Sequence, residues 1–331
     1  MEHPLKVYIT DTPYDDIDIE SQLLKNYQAS VKSLSLKSDH EIVKECADAN
    51  ILLNLVAPIN EKVFSSLPDL IGVVRYGTGY DNVDIPSATE HGIVVANIPQ
   101  YGQDEVAEHT AALILSSWRK ISYYNNSISN GVWNWKIGRP IHPINGKTLG
   151  LVGFGRIAKM VASKMKGFGM VVQIYDPFVG EEQCTTLGVK KVSLEDLASS
   201  SDVISVHTPL TKETYHIISR KEVSVMKGCI FVNASRGPIV DEDALIEGLN
   251  SGKISSAALD VLEKEPESRS KFAGMDNVIF TPHIGWYSEE SMIDLRTKVA
   301  KTAISFIEKK LPSNVINMEA VTRSKWFQKT A

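Results

Sequence analysis

Short runs of β-branched and other apolar residues alternate along the chain with longer amphipathic stretches. That alternation signals βαβ units: a parallel strand covered on both faces reads as a continuous apolar run, and its crossover helix as a 3.6-residue period. In the first hundred residues it predicts strands at Lys6–Thr10, Ser30–Leu36, Asn50–Val56, Ile71–Tyr76 and Ile93–Asn97, with helices between them. Pro99, Gly102 and Gln103 interrupt, and a long helix follows from about Asp104, with Val106, Ala107, Thr110, Leu113 and Ile114 at helical spacing. From Asn130 to Gly146 the period is lost, and Gly131, Trp133, Trp135, Gly138, Pro140 and Pro143 predict a loop. A second series predicts strands at Thr148–Val152, Val171–Tyr175, Asp202–His207, Cys229–Asn233, Ala257–Val261 and Val278–Thr281, a helix from Arg156, and a last helix from about Ser288 to Lys309. The whole reads as an α/β fold of two doubly wound parallel-sheet halves, and the pattern alone assigns the last helix to neither. The tail from Val321 to Ala331, with Arg323, Lys325, Trp326 and Lys329, is expected to be mobile.

With 331 residues, 43% hydrophobic and 23% charged, the chain has material for two cores. A formal net charge of −5 gives no basic footprint for nucleic acid. Met1-Glu2-His3-Pro4 lacks the basic start and apolar run of a secretory signal, so export is not expected. Apolar runs such as Ile51–Pro58 fall far short of the roughly 20 residues that span a bilayer. No membrane association is expected, and the cytoplasm is the expected compartment. Cys46, Cys184 and Cys229 lie too far apart for a disulfide framework or a zinc pair, so no metal is expected and the three should be buried small apolar residues.

The candidate chemistry begins at Thr148-Leu-Gly-Leu-Val-Gly153-Phe-Gly155-Arg-Ile-Ala158, a Gly-x-Gly-x-x-Ala turn between a predicted strand and a predicted helix. Alone such a turn carries little weight. Asp176, closing the next strand about 20 residues on, completes the dinucleotide fingerprint. Gly153 permits the tight turn, Gly155 lets a pyrophosphate approach the backbone, and the helix start offers free N–H groups and partial positive charge. Asp176 suits the adenosine ribose hydroxyls and would repel a 2′-phosphate; Pro177 and Phe178 follow, with no arginine to offset that repulsion. The expected cofactor is therefore NAD.

With this turn at mid-chain and Asn233-Ala-Ser-Arg236-Gly-Pro-Ile-Val-Asp241 after it, the chain resembles the D-isomer-specific 2-hydroxyacid dehydrogenases. The resemblance extends over Gly77–Asp84, Val106-Ala-Glu-His-Thr110, Leu149–Pro177, His207-Thr-Pro-Leu-Thr211, Ala258–Val261, Glu265-Pro266 and Thr281-Pro-His-Ile-Gly285. It implies a Rossmann NAD-binding domain, residues 101–286, inserted into a flavodoxin-like substrate-binding domain, residues 1–100 and 287–331, which takes the last helix. It implies hydride transfer between nicotinamide and a small D-2-hydroxy or 2-keto acid, with Arg236, Glu265 and His283 as catalytic groups converging in a cleft between the domains.

Those three residue types suit the reduction of a 2-keto acid. The planar fork of Arg236 can hold the carboxylate and polarise the adjoining carbonyl. His283 can give a proton to the developing alkoxide or remove one in the reverse direction, and Glu265 would hold its ring. Around the cofactor the similarity points to Arg156, Ile157, His207, Thr208, Pro209, Ala234, Ser235 and Asp260, with Asp260 favoured for the carboxamide. Val106 falls near the nicotinamide by the same similarity, although a plain helix-core role fits it equally. The Arg75-Tyr76-Gly77 turn resembles the family loop whose backbone N–H groups hold the substrate carboxylate.

After His283-Ile-Gly the chain reads Trp286-Tyr-Ser-Glu289, where most relatives carry small residues. This and Arg75 resemble the branch of the C-terminal-binding-protein corepressors; by that similarity Trp286 lines the substrate pocket and Arg75 adds a second cation. A function of another class follows, an NADH-sensing protein-interaction module with little turnover. The complete catalytic set favours the enzyme, and Glu265 fits a hydroxy-acid site better than formate oxidation. Relatives are mostly homodimers joined through the region corresponding to Asp104–Pro143, where Trp133 and Trp135 are either interface anchors or packed on their own subunit. Pyruvate, glyoxylate, hydroxypyruvate and larger keto acids all remain open as substrates.

Overall fold

The computed structural model describes residues 4–265 and 271–328. It divides into two compact units, one made of residues 1–101 and 288–331, the other running unbroken from Gly102 to Tyr287.

The first unit carries β1 (Leu5–Ile9), β2 (Ala29–Ser33), β3 (Ile51–Asn54), β4 (Gly72–Arg75) and β5 (Val94–Ala96). These form one parallel sheet in the order β2-β1-β3-β4-β5, the flavodoxin-like arrangement. All four residues of β3, at the centre, are buried, as helices on both faces require. One of those helices, Asp39–Glu45, is started by a capping box between Ser38 and Glu41.

The last helix, Glu289–Ile307, belongs to this unit, and two contacts hold it there. The ring of Phe306 lies so close to Gly72 that a Cβ at that position would meet it at 2.6 Å. Arg296, 4% exposed, grips the carboxylate of Glu20, itself 1% exposed, through Nε at 3.0 Å and Nη2 at 2.8 Å, and reaches Asp16 at 2.9 Å. Glu20 also accepts the hydroxyl proton of Tyr76 at 2.9 Å, and the Arg296 guanidinium lies 4.8 Å from the centre of the Tyr14 ring. Burial, reinforced by Glu20, keeps the Tyr76 hydroxyl protonated far above the ordinary phenol range, so it remains a donor.

The expected mobile tail is instead docked through Gln328. The helix Met318–Val321 follows, the Trp326 indole N–H donates to the Phe306 carbonyl at 2.7 Å, and Phe327 packs edge-on against Phe306. Two aromatic residues outweigh the charged ones around them by offering a bundle of apolar surface to the last helix. Residues 329–331, Lys329 among them, lie outside the described part.

The second unit carries β6 (Thr148–Val152), β7 (Val171–Tyr175), β8 (Lys190–Lys191), β9 (Val203–Val206), β10 (Cys229–Asn233), β11 (Ile254–Leu259) and β12 (Val278–Phe280). They form a parallel sheet in the order β12-β11-β10-β9-β6-β7-β8, a Rossmann order with one further strand. The helix Arg156–Gly167 buries Ala158, Val161, Ala162 and Met165, one stripe at helical spacing, against this sheet. The ends of β6, β7 and β10 fall where the apolar runs predict them. Strand β11 starts three residues earlier than expected, and β8, a pair of lysines at the sheet edge, has no apolar run to announce it. Within the expected loop, Trp135–Gly138 forms a 3₁₀ turn. Cys46, Cys184 and Cys229 are all free and buried, as expected.

Candidate active site

Chain order reverses between β6 and β9, and a doubly wound sheet binds its ligand outside the carboxyl ends of the strands at such a point. The Gly153 turn leaves β6 there and His207-Thr208 leaves β9. Gly153 has φ +88°, and a Cβ on it would press at 2.9 Å on both the His207 carbonyl carbon and the Thr208 methyl. Only glycine combines that backbone with that approach. Gly155 is the N-cap of Arg156–Gly167; a Cβ there would meet nothing within 4 Å, no side chain caps the helix, and no acidic residue occupies its first turn. Open space thus faces the start of a helix that no side chain caps.

Asp176 closes β7 beside this turn. Its Oδ2 accepts the Phe154 N–H and its Oδ1 the Phe178 N–H, each at 2.8 Å, which leaves lone pairs on both oxygens for a diol. Thr208 Oγ1 is buried with no hydrogen-bond partner among the described residues, and the Thr208 carbonyl accepts from Ser235 Oγ at 2.7 Å. An orphaned hydroxyl, an uncapped helix start and an acceptor at the strand end fit a dinucleotide. Arg156 and Pro209 are exposed, and Ile157, Ala234 and Val106 are half-buried. His207 bonds to Ser205 Oγ at 2.9 Å, and burial pushes its imidazole down to about 4.

The remaining candidates leave the same sheet edge from three neighbouring strands, where Asn233, Leu259 and Phe280 stand in register. Arg236 follows β10 by three residues, His283 follows β12 by three, and Asp260 and Glu265 follow β11. Glu265 Oε2 lies 2.7 Å from His283 Nδ1, and Glu265 Oε1 accepts the Leu262 N–H at 2.7 Å, so one carboxylate holds both its own loop and the imidazole. The Arg236 loop is drawn against that loop through Gly237, where a Cβ would fall 1.9 Å from the Leu262 carbonyl oxygen. Asn233 Nδ2 donates to the Arg236 carbonyl at 2.9 Å and its Oδ1 accepts the Ser235 N–H at 3.0 Å, which fixes the loop from below. Pro266 lies outside the described residues.

Asp260 is the hub of this edge. Only 3% exposed, it accepts Thr281 Oγ1 at 2.6 Å and the Ile284 N–H at 2.9 Å on Oδ1, and the Gly285 N–H at 2.9 Å on Oδ2. Burial alone would raise its carboxyl; the bonds from His109, Thr281, Ile284 and Gly285 outweigh burial and hold it below the ordinary carboxylate range. The Asp260 carbonyl also accepts the His283 N–H at 2.8 Å, and His283 sits at φ +53°, a left-handed conformation uncommon outside glycine. Trp286 stands edge-on to Tyr287, with 5.6 Å between ring centres, and a Cβ on Gly102 would meet the Trp286 carbonyl at 2.8 Å.

In the first unit, Arg75 ends β4 and its guanidinium donates to the Tyr76 carbonyl. Gly77, at φ +128°, leaves that guanidinium its space. Tyr76 departs from the expectation of substrate contact. Its N–H goes to the Asn54 carbonyl at 2.7 Å and its ring is 1% exposed with the hydroxyl on Glu20, so neither group is offered to a ligand. Sequence reasoning also passed over His109, although the Val106–Thr110 motif contains it: its Nε2 lies 3.0 Å from Thr281 Oγ1 and 3.4 Å from Asp260 Oδ1.

Residues 111–285 match the family model for the NAD-binding domain of D-isomer-specific 2-hydroxyacid dehydrogenases. A glyoxylate reductase of Thermococcus litoralis is 36% identical over 333 residues, covering 96% of this chain and 98% of that protein. The chain belongs to the D-isomer-specific 2-hydroxyacid dehydrogenases. A D-3-phosphoglycerate dehydrogenase of Bacillus subtilis is also 36% identical, over 93% of this dehydrogenase chain, which spans 57% of that relative's length. Among solved structures, a D-lactate dehydrogenase of Aquifex aeolicus complexed with NAD and lactic acid superposes with a TM-score of 0.85 at 30% identity, covering 94% of this chain and 98% of that one. The Gly153 turn, Asp176 and the Arg236–Glu265–His283 edge of this family member thus lie in its NAD-binding unit.

Proposed function

We propose that this family member is an NAD-dependent oxidoreductase acting on the 2-position of a small D-2-hydroxy or 2-keto acid, with His283, Glu265 and Arg236 as its catalytic groups. The observation that carries the proposal is the 2.7 Å contact between His283 Nδ1 and Glu265 Oε2, on the same sheet edge as a turn shaped for a dinucleotide. Bound NAD supplies the hydride acceptor, or as NADH the donor. With Nδ1 held by Glu265, Nε2 is the nitrogen of His283 that exchanges a proton with the substrate oxygen. Arg236 meets the carboxylate and turns the carbonyl toward that nitrogen. Gly153, Gly155 and the start of the helix Arg156–Gly167 take the pyrophosphate, with Thr208 Oγ1 as an added donor, and Asp176 takes the adenosine ribose. The relatives' names favour glyoxylate among the substrates to be tried first.

Two coarser properties go with this function. A homodimer is supported by the exposed apolar surface of the segment 121–135, where Trp133 is 86% and Trp135 67% exposed beside Val132, Ile128 and Ile121. Residence in the cytoplasm is supported by three free buried cysteines, and among the described residues no helix is long and apolar enough to cross a membrane.

The test is NADH oxidation with glyoxylate, pyruvate and hydroxypyruvate, with chiral analysis of the product. His283→Asn should lower turnover by orders of magnitude while NADH still binds. Wild-type protein that binds NADH and reduces no keto acid would return the NADH-sensing alternative; unchanged turnover in His283→Asn would remove that residue from the mechanism.

A further inference from the structure

His109 lies on the helix Gln103–Arg119, which packs across β10 and β11, and its side chain, 22% exposed, reaches the hub around Asp260. The protons in that hub can be counted. Thr281 has one hydroxyl hydrogen, and the 2.6 Å contact with the acceptor-only carboxylate of Asp260 uses it. Toward His109, then, Thr281 Oγ1 can only accept, and the 3.0 Å contact requires a hydrogen on His109 Nε2. The same N–H is shared with Asp260 Oδ1 at 3.4 Å. The turn that follows is built on these atoms: Asp260 takes the N–H groups of Ile284 and Gly285 on its side chain and that of His283 on its carbonyl. Gly285 is the residue that lets the two side chains come so near, since a Cβ there would stand 2.9 Å from Asp260 Oδ2 and 3.3 Å from the His109 ring.

We propose that His109 is a positioning residue for the reaction: by donating from Nε2 to Thr281 and Asp260, it fixes the Thr281–Gly285 turn and so aims the His283 imidazole. The proposal rests on the catalytic role given to His283 above. Three features make the link consequential. His283 is held at φ +53°, a backbone state with little intrinsic stability for a non-glycine residue, so the turn depends on its external bonds. The bonds supplying that support converge on one buried carboxylate whose charge His109 helps to stabilise. A displacement of about 1 Å at a proton-transfer group is enough to cost on the order of a hundredfold in rate.

The experiment compares His109→Leu, His109→Gln, Thr281→Val and His283→Asn with the wild type. Each is assayed for kcat and KM with whichever of glyoxylate, pyruvate and hydroxypyruvate the wild type reduces fastest, and for NADH binding by energy transfer from tryptophan. His109→Leu and Thr281→Val should lower kcat about ten- to a hundredfold while NADH affinity stays within about twofold. His109→Gln, whose amide N–H reaches the place of Nε2, should recover kcat to within about threefold of wild type. Full activity in His109→Leu overturns the proposal, as does a Gln variant no better than Leu, or an equal collapse of kcat and NADH binding. Should His109→Leu fail to fold, Thr281→Val and the Gln variant decide the matter on the same criteria. An active His283→Asn variant would instead remove His283 from the mechanism, the role on which this proposal rests, whatever His109 does.

Discussion

Arg296→Met removes the guanidinium that neutralises Glu20 inside the first unit and leaves most of the side-chain volume. Both partners are within a few per cent of full burial, and after the substitution the Glu20 carboxylate keeps only the Tyr76 hydroxyl as a bonding partner among those described. An uncompensated buried charge of this kind costs about 3–5 kcal/mol. Spread over the entropy of a unit of roughly 145 residues, about 0.3 kcal/mol/K, that cost lowers its melting temperature by about 10–16 °C. The double variant Arg296→Met with Glu20→Met removes both charges, leaves one unsatisfied tyrosine hydroxyl, and should lie within about 2 kcal/mol of wild type. Scanning calorimetry gives the melting temperatures, and hydrogen exchange in peptides covering 14–24 and 289–307 assigns the transition to the first unit. A drop below 3 °C in the single variant, or a double variant as unstable as the single, would refute the assignment of this pair as a charge-compensated core.

Three further outcomes follow from the second unit. Asp176→Ser should raise the NADP-to-NAD ratio of kcat/KM by about tenfold or more, because a charge that repels the 2′-phosphate is removed; an unchanged ratio would mean that other groups select the cofactor. His207 ordinarily titrates near 6.5 but is pushed down to about 4 by burial, so the unfolded chain binds the extra proton first. Stability should therefore fall as pH drops from about 6.5 to about 4, and urea unfolding of His207→Gln across that window should show a shallower loss than wild type. Gly237→Ala places a methyl 1.9 Å from the Leu262 carbonyl oxygen, and since neither backbone yields cheaply, kcat should fall about a hundredfold; retained activity would show that the Arg236 loop can shift without penalty.

Hydrophobic periodicity reports which residues are covered, and so it located β6, β7 and β10 to the residue. It could not reveal Lys190–Lys191, a strand held by its backbone at a sheet edge, since two lysines carry no apolar signal. Nor does it tell a tail that ends in solvent from one whose Trp326 and Phe327 find Phe306, because the receiving surface is assembled elsewhere in the chain. At the site, Arg236, Glu265 and His283 were singled out through the resemblance of their motifs, and Glu265 does meet His283. The groups that hold the turn carrying His283 were not. Asp260, expected beside the carboxamide, also braces the turn through the N–H groups of Ile284 and Gly285, and Tyr76, expected at the substrate, spends its N–H on Asn54 and its hydroxyl on Glu20. Hydrogen bonds joining residues 109, 260 and 281 leave no periodic trace.

The unbroken run of the second unit, against the split first one, sets an order of events on the ribosome. A chain emerging from its amino end completes every strand from Thr148 to Phe280 before Glu289–Ile307 has been made. Until that segment leaves the exit tunnel, Glu20 lacks its guanidinium and Gly72 its aromatic cover, so the strands β1 to β5, made before the second unit, reach their final state after it.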